Sequence, residues 1–141
     1  MTESRPLSVY LILLVELLIG IMGIGSAVVL LLDPTGVTMG IDYVLPYLPI
    51  PDFTILGLWF LTVYGLLPLY IVYGAWKRNS LAWRLCVGLS LVEVLWILSQ
   101  LFVFTEIGYF FLQPVILVQA VIILYLLTLK QVKNYFSASN I

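Results

Sequence analysis

Residues 7–32 read LSVYLILLVELLIGIMGIGSAVVLLL, an apolar run broken by a single charged side chain, Glu16. A helix needs about 20 mainly apolar residues to cross the hydrocarbon of a bilayer, and this run exceeds that length. It stops at Asp33-Pro34-Thr35-Gly36, a turn sequence in which proline and glycine both act against continuing a helix. A cleaved signal peptide would have an apolar region of about 7–15 residues followed by a small-residue cleavage site. This run is longer and has no such site, so a retained transmembrane span is expected.

Three more runs of this kind follow, from about Phe53 to Trp76, Leu81 to Phe104 and Pro114 to Leu129. Pro114 suits the first turn of a helix, where its missing N–H costs nothing. Pro68 is expected to kink the second helix, which a bundle tolerates where neighbours satisfy the freed carbonyl. Composition agrees: the 141 residues are 63% hydrophobic and 9% charged, with a mean hydropathy of +1.17. A soluble domain is about 45–50% apolar and about 25% charged, and a chain this small cannot bury such a surplus within itself. The solvent for most of these side chains is lipid.

The basic residues set an orientation. Arg5, Lys77, Arg78, Arg84, Lys130 and Lys133 all fall in the N-terminal tail, around the second-to-third connection, or at the C-terminal end. The other two connections, about residues 33–52 and 105–113, carry Asp33, Asp42, Asp52 and Glu106 but no base. The positive-inside rule then places both termini in the cytoplasm. The expected architecture is all-α, one domain over residues 1–141: a four-helix transmembrane bundle in the cytoplasmic membrane of a bacterium or archaeon. The tail from Lys133 to Ile141 is polar and expected to fray.

The first outer connection, roughly 20 residues, is long for a compact protein and is not polar. Val37, Met39, Ile41, Val44, Leu45, Leu48 and Ile50 alternate with Pro46, Pro49 and Pro51. It is expected to form a short helical or extended piece at the outer interface, with Tyr43 and Tyr47 in the headgroup belt. A cap over the bundle and a lid or docking surface are both compatible with that. Asp52 is placed to help cap the second helix.

Ionisable groups inside spans are expensive and mark sites by default. Glu16 and Glu93 each lie roughly 14–18 Å deep, near the bilayer midplane. Glu93, Trp96 and Gln100 share one face of the third span. Gln119 and Tyr125 on the fourth span and Tyr64 on the second complete a possible polar layer, continuing toward Glu106 and Gln113. Such a stripe can bind a ligand or relay protons, and two carboxylates that meet can share a proton. The alternative is structural: glutamine and tyrosine as interhelical glue, and a neutral glutamate donating one hydrogen bond.

Gly20, Gly23 and Gly25, with Gly23 and Ala27 in small-xxx-small spacing, allow close approach of another helix, from this chain or from a second protomer. Trp59, Trp76, Trp83 and Tyr109 fall near the expected interfaces as anchors. The chain has no histidine and one cysteine, Cys86, expected to act as a small hydrophobe. No metal ligand set, phosphate-cradling loop or nucleophile–base pair is evident, so no cofactor is implied and an enzymatic role is disfavoured. The net charge of −1 gives no attraction to nucleic acid.

Asp33-Pro34-Thr35-Gly36, Pro51-Asp52-Phe53, Lys77-Arg78 with Trp83, Trp96 with Gln100, and Gln113-Pro114 occur in an order that resembles small, mostly uncharacterised bacterial four-helix integral membrane proteins. The resemblance implies an inner-membrane four-helix protein and carries no activity. The architecture is more distantly similar to DoxX-like four-helix proteins, some linked to quinone chemistry. The expected function is an accessory or binding protein. It would hold a membrane lipid, a quinone-like ligand or a partner helix in a polar-lined cleft, alone, as a homo-oligomer or in a larger complex. The rivals are a small proton-coupled transporter or channel and a quinone-linked redox protein.

Overall fold

A computed structural model describes residues 5–103 and 113–137, all helical or in turns, with no strand among the described residues. Helix α1 spans Leu7–Leu32, α2 Thr54–Trp76, α3 Ser80–Val103, α4 Gln113–Thr128 and α5 Lys130–Ser137. Three helices are long and apolar enough to cross a membrane: α1, α2 and Ser80–Gln100 of α3. A fourth crossing needs α4 and α5 together, and this pair is bent by 69°. Glu106 and Tyr109 lie outside the described residues.

The buried face of α1 carries Val9, Leu13, Glu16, Gly20, Gly23, Ala27 and Leu30, at alternating steps of four and three. Ala82, Cys86, Leu89 and Glu93 repeat the pattern on α3. A period of about 3.5 residues is that of helices packed with a slight left-handed supercoil. The opposite faces expose Leu14, Leu18 and Met22 on α1, Leu91, Leu95 and Leu98 on α3, and Val118, Val121 and Ile122 on α4. Apolar faces of this extent mark surfaces that meet lipid or another protein.

The chain divides into two compact units, one of Leu17–Leu69, the other of the residues up to Glu16 and from Tyr70 onward. In the first, α1 meets α2 backbone against side-chain-free backbone. A Cβ on Gly23 would overlap the Tyr64 carbonyl and lie 2.8 Å from the Gly65 nitrogen, and one on Gly20 would lie 2.7 Å from Leu69. The expected internal partner for this glycine stripe is therefore α2, whereas Gly25 has nothing within 4 Å. Pro68 explains the local geometry. Its ring cannot donate to the Tyr64 carbonyl four residues back, and it crowds that group. The helix responds with a π turn over Phe60–Leu66, in which Leu67 N–H bonds to the Thr62 carbonyl, instead of simply kinking at the proline.

The turn after α1 is built on Asp33. Its carboxylate accepts from the Thr35 N–H and hydroxyl and, at 2.7 Å, from the Thr38 N–H. These donors hold it well below the usual carboxylate range. Gly36 adopts a φ of 80°, and Phe53 packs where its Cβ would stand, 2.6 Å from the ring edge. Phe53 N–H returns to the Pro34 carbonyl at 2.8 Å. The intervening segment forms the 3-10 helix Asp42–Tyr47, with Val44 buried and Tyr43 and Tyr47 exposed. Asp52 accepts from the Thr54 N–H at 2.9 Å, as expected of a helix-starting carboxylate, and is lowered by that bond.

The polar tail departs from expectation. Through Ser137 it is helix, because Val132, Tyr135 and Phe136 recur at helical spacing and are buried, while Lys130, Lys133 and Asn134 face out. Eight residues make a marginal helix alone, so its stability comes from docking.

Gly23→Ala is expected to destabilise the protein by at least about 1–3 kcal/mol through overpacking against backbone. Gly25→Ala should stay within about 0.5 kcal/mol of wild type, both read by unfolding in detergent. For Asp33, the depressed carboxyl contributes stability above its unfolded value near 3.8 and loses it as pH falls below that. Asp33→Asn should therefore lower the thermal midpoint at pH 7, with the gap to wild type closing below about pH 4.

Candidate functional site

In the unit formed by residues up to Glu16 and from Tyr70 onward, α1, α3 and α4 bring polar side chains into an apolar interior. Glu16 is 1% exposed and Glu93 2%. The Cys86 thiol donates to Glu16 Oε1 at 3.1 Å. Gln119 Nε2 donates to Glu93 Oε2 at 3.5 Å, the long limit for such a bond. Cys86 and Glu93 stand seven residues apart on the buried face of α3, so the bond from Cys86 brings Glu16 to the face that carries Glu93. Both carboxyls are held by uncharged donors, a thiol and an amide.

Ser90 belongs to the same face. Cys86, Ser90, Glu93 and Ile97 follow i, i+4, i+7 and i+11, and all four are buried. Among the described residues, Ser90 Oγ and Glu16 Oε2 have no hydrogen-bond partner. Leaving a buried donor or acceptor unmade costs about 1–3 kcal/mol, so these two atoms are the expensive part of the cluster.

The other candidates are distributed unevenly. Trp96 and Gln100 are half-buried on α3 beyond Glu93, and Gln119 is half-buried opposite it on α4. Tyr125 is 64% exposed, on the side of α4 away from Ala120, Ile123 and Leu127, and does not join the cluster. Tyr64 belongs to the other unit, edge-on to Phe60 with ring centres 5.7 Å apart. No set of three His, Cys, Asp or Glu able to hold a metal occurs among the described residues.

Protein-family models, curated proteins and solved structures give no match to this chain. Its chemistry is therefore read from its own residues.

Sequence reading missed two things here. Cys86 was expected to be a small hydrophobe, yet it is the donor that links α3 to Glu16. The signal was its spacing of seven from Glu93 on one helix face. The second is a polar seal at the basic end of this unit. Arg5 lies over the Trp76 ring at 3.7 Å and donates to Tyr135 Oη at 3.1 Å and to the Trp76 carbonyl at 3.3 Å. Tyr135 in turn donates to the Ala75 carbonyl at 3.0 Å, and Gln131 donates to Ser8 Oγ at 3.0 Å. The turn after α2 closes with Asn79 N–H on the Gly74 carbonyl and Arg78 N–H on that of Ala75, a Schellman pattern. Arg78 occupies its left-handed position, at a φ of 58°, where glycine is usual. The bend between α4 and α5 breaks the helical ladder there, and the Trp83 indole donates to the Leu127 carbonyl at 3.2 Å. Trp76 and Trp83, expected as interface anchors, thus also have specific partners within the chain.

Cys86→Ala should destabilise the protein by about 1–3 kcal/mol, because it leaves Glu16 Oε1 without its donor in an apolar interior. Cys86→Ser, which keeps a donor, should recover most of that loss. Chemical denaturation in detergent micelles distinguishes the two, and equal losses would show that packing, not the bond, sets the cost.

Proposed function

We propose that this chain is a multi-pass protein of a bacterial or archaeal cytoplasmic membrane, a four-helix bundle with both termini inside. The basic residues at one set of connections and the acidic residues at the other support that orientation. Its work is binding: it holds a lipid, a quinone-like molecule or a partner helix against a wall made by Glu93, Trp96, Gln100 and Gln119. The observation that carries this reading is the meeting of Gln119 with Glu93 across α3 and α4. At that place Trp96, Gln100 and Gln119 remain half-buried while Glu93 is sealed. A polar group of a membrane-soluble ligand reaching this wall finds amides and an indole backed by the sealed Glu93, in apolar surroundings where each hydrogen bond is strong. Gly20 and Gly23 are spent on contacts within the chain, so association with another copy or a larger complex would use the remaining apolar faces.

A second reading, a proton-coupled transporter or channel working as an oligomer, is favoured by one specific observation. Two carboxyls from different helices share one buried cluster. Buried carboxyls of this kind are the usual parts of intramembrane proton relays.

Native mass spectrometry of protein extracted gently from its own membrane separates these readings. A mass exceeding an integer number of chains, lost in Glu93→Gln and Gln119→Leu, is expected for the binding protein. A clean integer mass with proton flux in proteoliposomes would transfer the case to the transporter.

A further inference from the structure

Two buried oxygens without partners lie in the same cluster, and their positions suggest what joins them. Glu16 is tied at the level of Cys86, and Glu93 lies two helical turns further along α3. Ser90 stands between them on the same face, about 6 Å along the axis from Cys86 and about 4.5 Å from Glu93. Side chains on a helix lean toward its N-terminus, so Glu93 leans back toward Ser90. Glu16 Oε2 and Ser90 Oγ are thus the unsatisfied atoms of a cluster whose other polar contacts, Cys86 to Glu16 and Gln119 to Glu93, lie at its two ends.

The occupant that fits must both give and take hydrogen bonds. A cation would face the Cys86 thiol and Gln119 amide, both already donating to the same carboxyls, and no three-ligand metal set exists among the described residues. An internal water needs about two to four polar partners in a small polar space, and Glu16, Ser90 and Glu93 supply them. We propose that Ser90 and Glu16 hold one internal water and that Glu16 and Glu93 exchange a proton through it, with Ser90 as the positioning residue. The transfer is balanced. The O–H bond of Glu93 breaks as its proton adds to the water oxygen, and another proton of that water forms an O–H bond with Glu16 Oε2. No electrons change hands, and the charge of the cluster is the same before and after. This rests on the reading of the Glu16–Glu93 cluster as a proton relay and adds to it the water and the role of Ser90.

Infrared spectroscopy of the full chain in lipid nanodiscs tests it, in ordinary water and in oxygen-18 water. Wild type is expected to show a protonated-carboxyl band altered by Glu16→Gln and by Glu93→Gln alike, and an internal-water O–H band moved by oxygen-18. Ser90→Ala should abolish the water band and raise the frequency of the carboxyl band, while Ser90→Thr, which keeps the hydroxyl, retains both. A wild-type water band that persists in Ser90→Ala, or no oxygen-18-sensitive band at all, overturns the proposal. Proton flux in proteoliposomes tells its failure from that of the relay itself. Flux that needs Glu16 and Glu93 but is indifferent to Ser90→Ala leaves the relay standing without this water. Absence of flux with the bands intact removes transport but leaves the water-linked pair.

Discussion

An apolar interior offers few hydrogen bonds, so a helix broken within it leaves backbone groups that another part of the chain has to meet. Pro68 removes a donor from the Tyr64 carbonyl, and the backbone answers with a π turn seated against Gly23. The bend after α4 frees the Leu127 carbonyl, and the Trp83 indole takes it. The end of α2 leaves carbonyls that are met by Arg78 and Asn79 N–H groups, by Tyr135 and by Arg5. Gly23, Trp83 and the left-handed Arg78 serve the same need, each at a break in a helix.

That same need makes the carboxyl cluster informative. Within the unit that holds the two buried glutamates, Ser8, Cys86, Gln119 and Tyr135 all have hydrogen-bond partners. Glu16 has one oxygen matched and one not, and Ser90 has none, among the described residues. Against helix breaks that are otherwise met by partners, an unpaired buried oxygen carries a cost of about 1–3 kcal/mol. The half-buried edge at Trp96, Gln100 and Gln119 lies next to that spot on the same helices.

Much of the fold was legible because lipid-facing helices write long, simple patterns. The bounds of α1 and α2 follow from the apolar runs and from Asp33-Pro34 and Asp52-Phe53, whose turn chemistry is local. That Glu16 and Glu93 lie inside long apolar helices was also readable, and both are buried. Which side of α4 carries its partners was not readable. An apolar helix in lipid is hydrophobic all round, so Tyr125, which faces out, and Gln119, which faces Glu93, look alike in sequence. The docked α5 was hidden for the opposite reason: three apolar residues among charged ones form a helix only once a surface receives them. The π turn was likewise unreadable, since proline announces a disturbance and not the way the backbone absorbs it.

The seal at the basic end joins residues that are far apart in sequence. Arg5 and Tyr135 are 130 positions apart, and Ser8 and Gln131 are 123 apart. During synthesis the first helix is therefore made long before the residues that close this end of the unit exist. Glu16 is likewise made 70 residues ahead of Cys86, its donor, and Arg5 precedes its tyrosine partner by 130. The nascent protein passes through a stage in which its most costly group is exposed and its ends are unjoined. A chain cut short before Tyr135 would be left in that state.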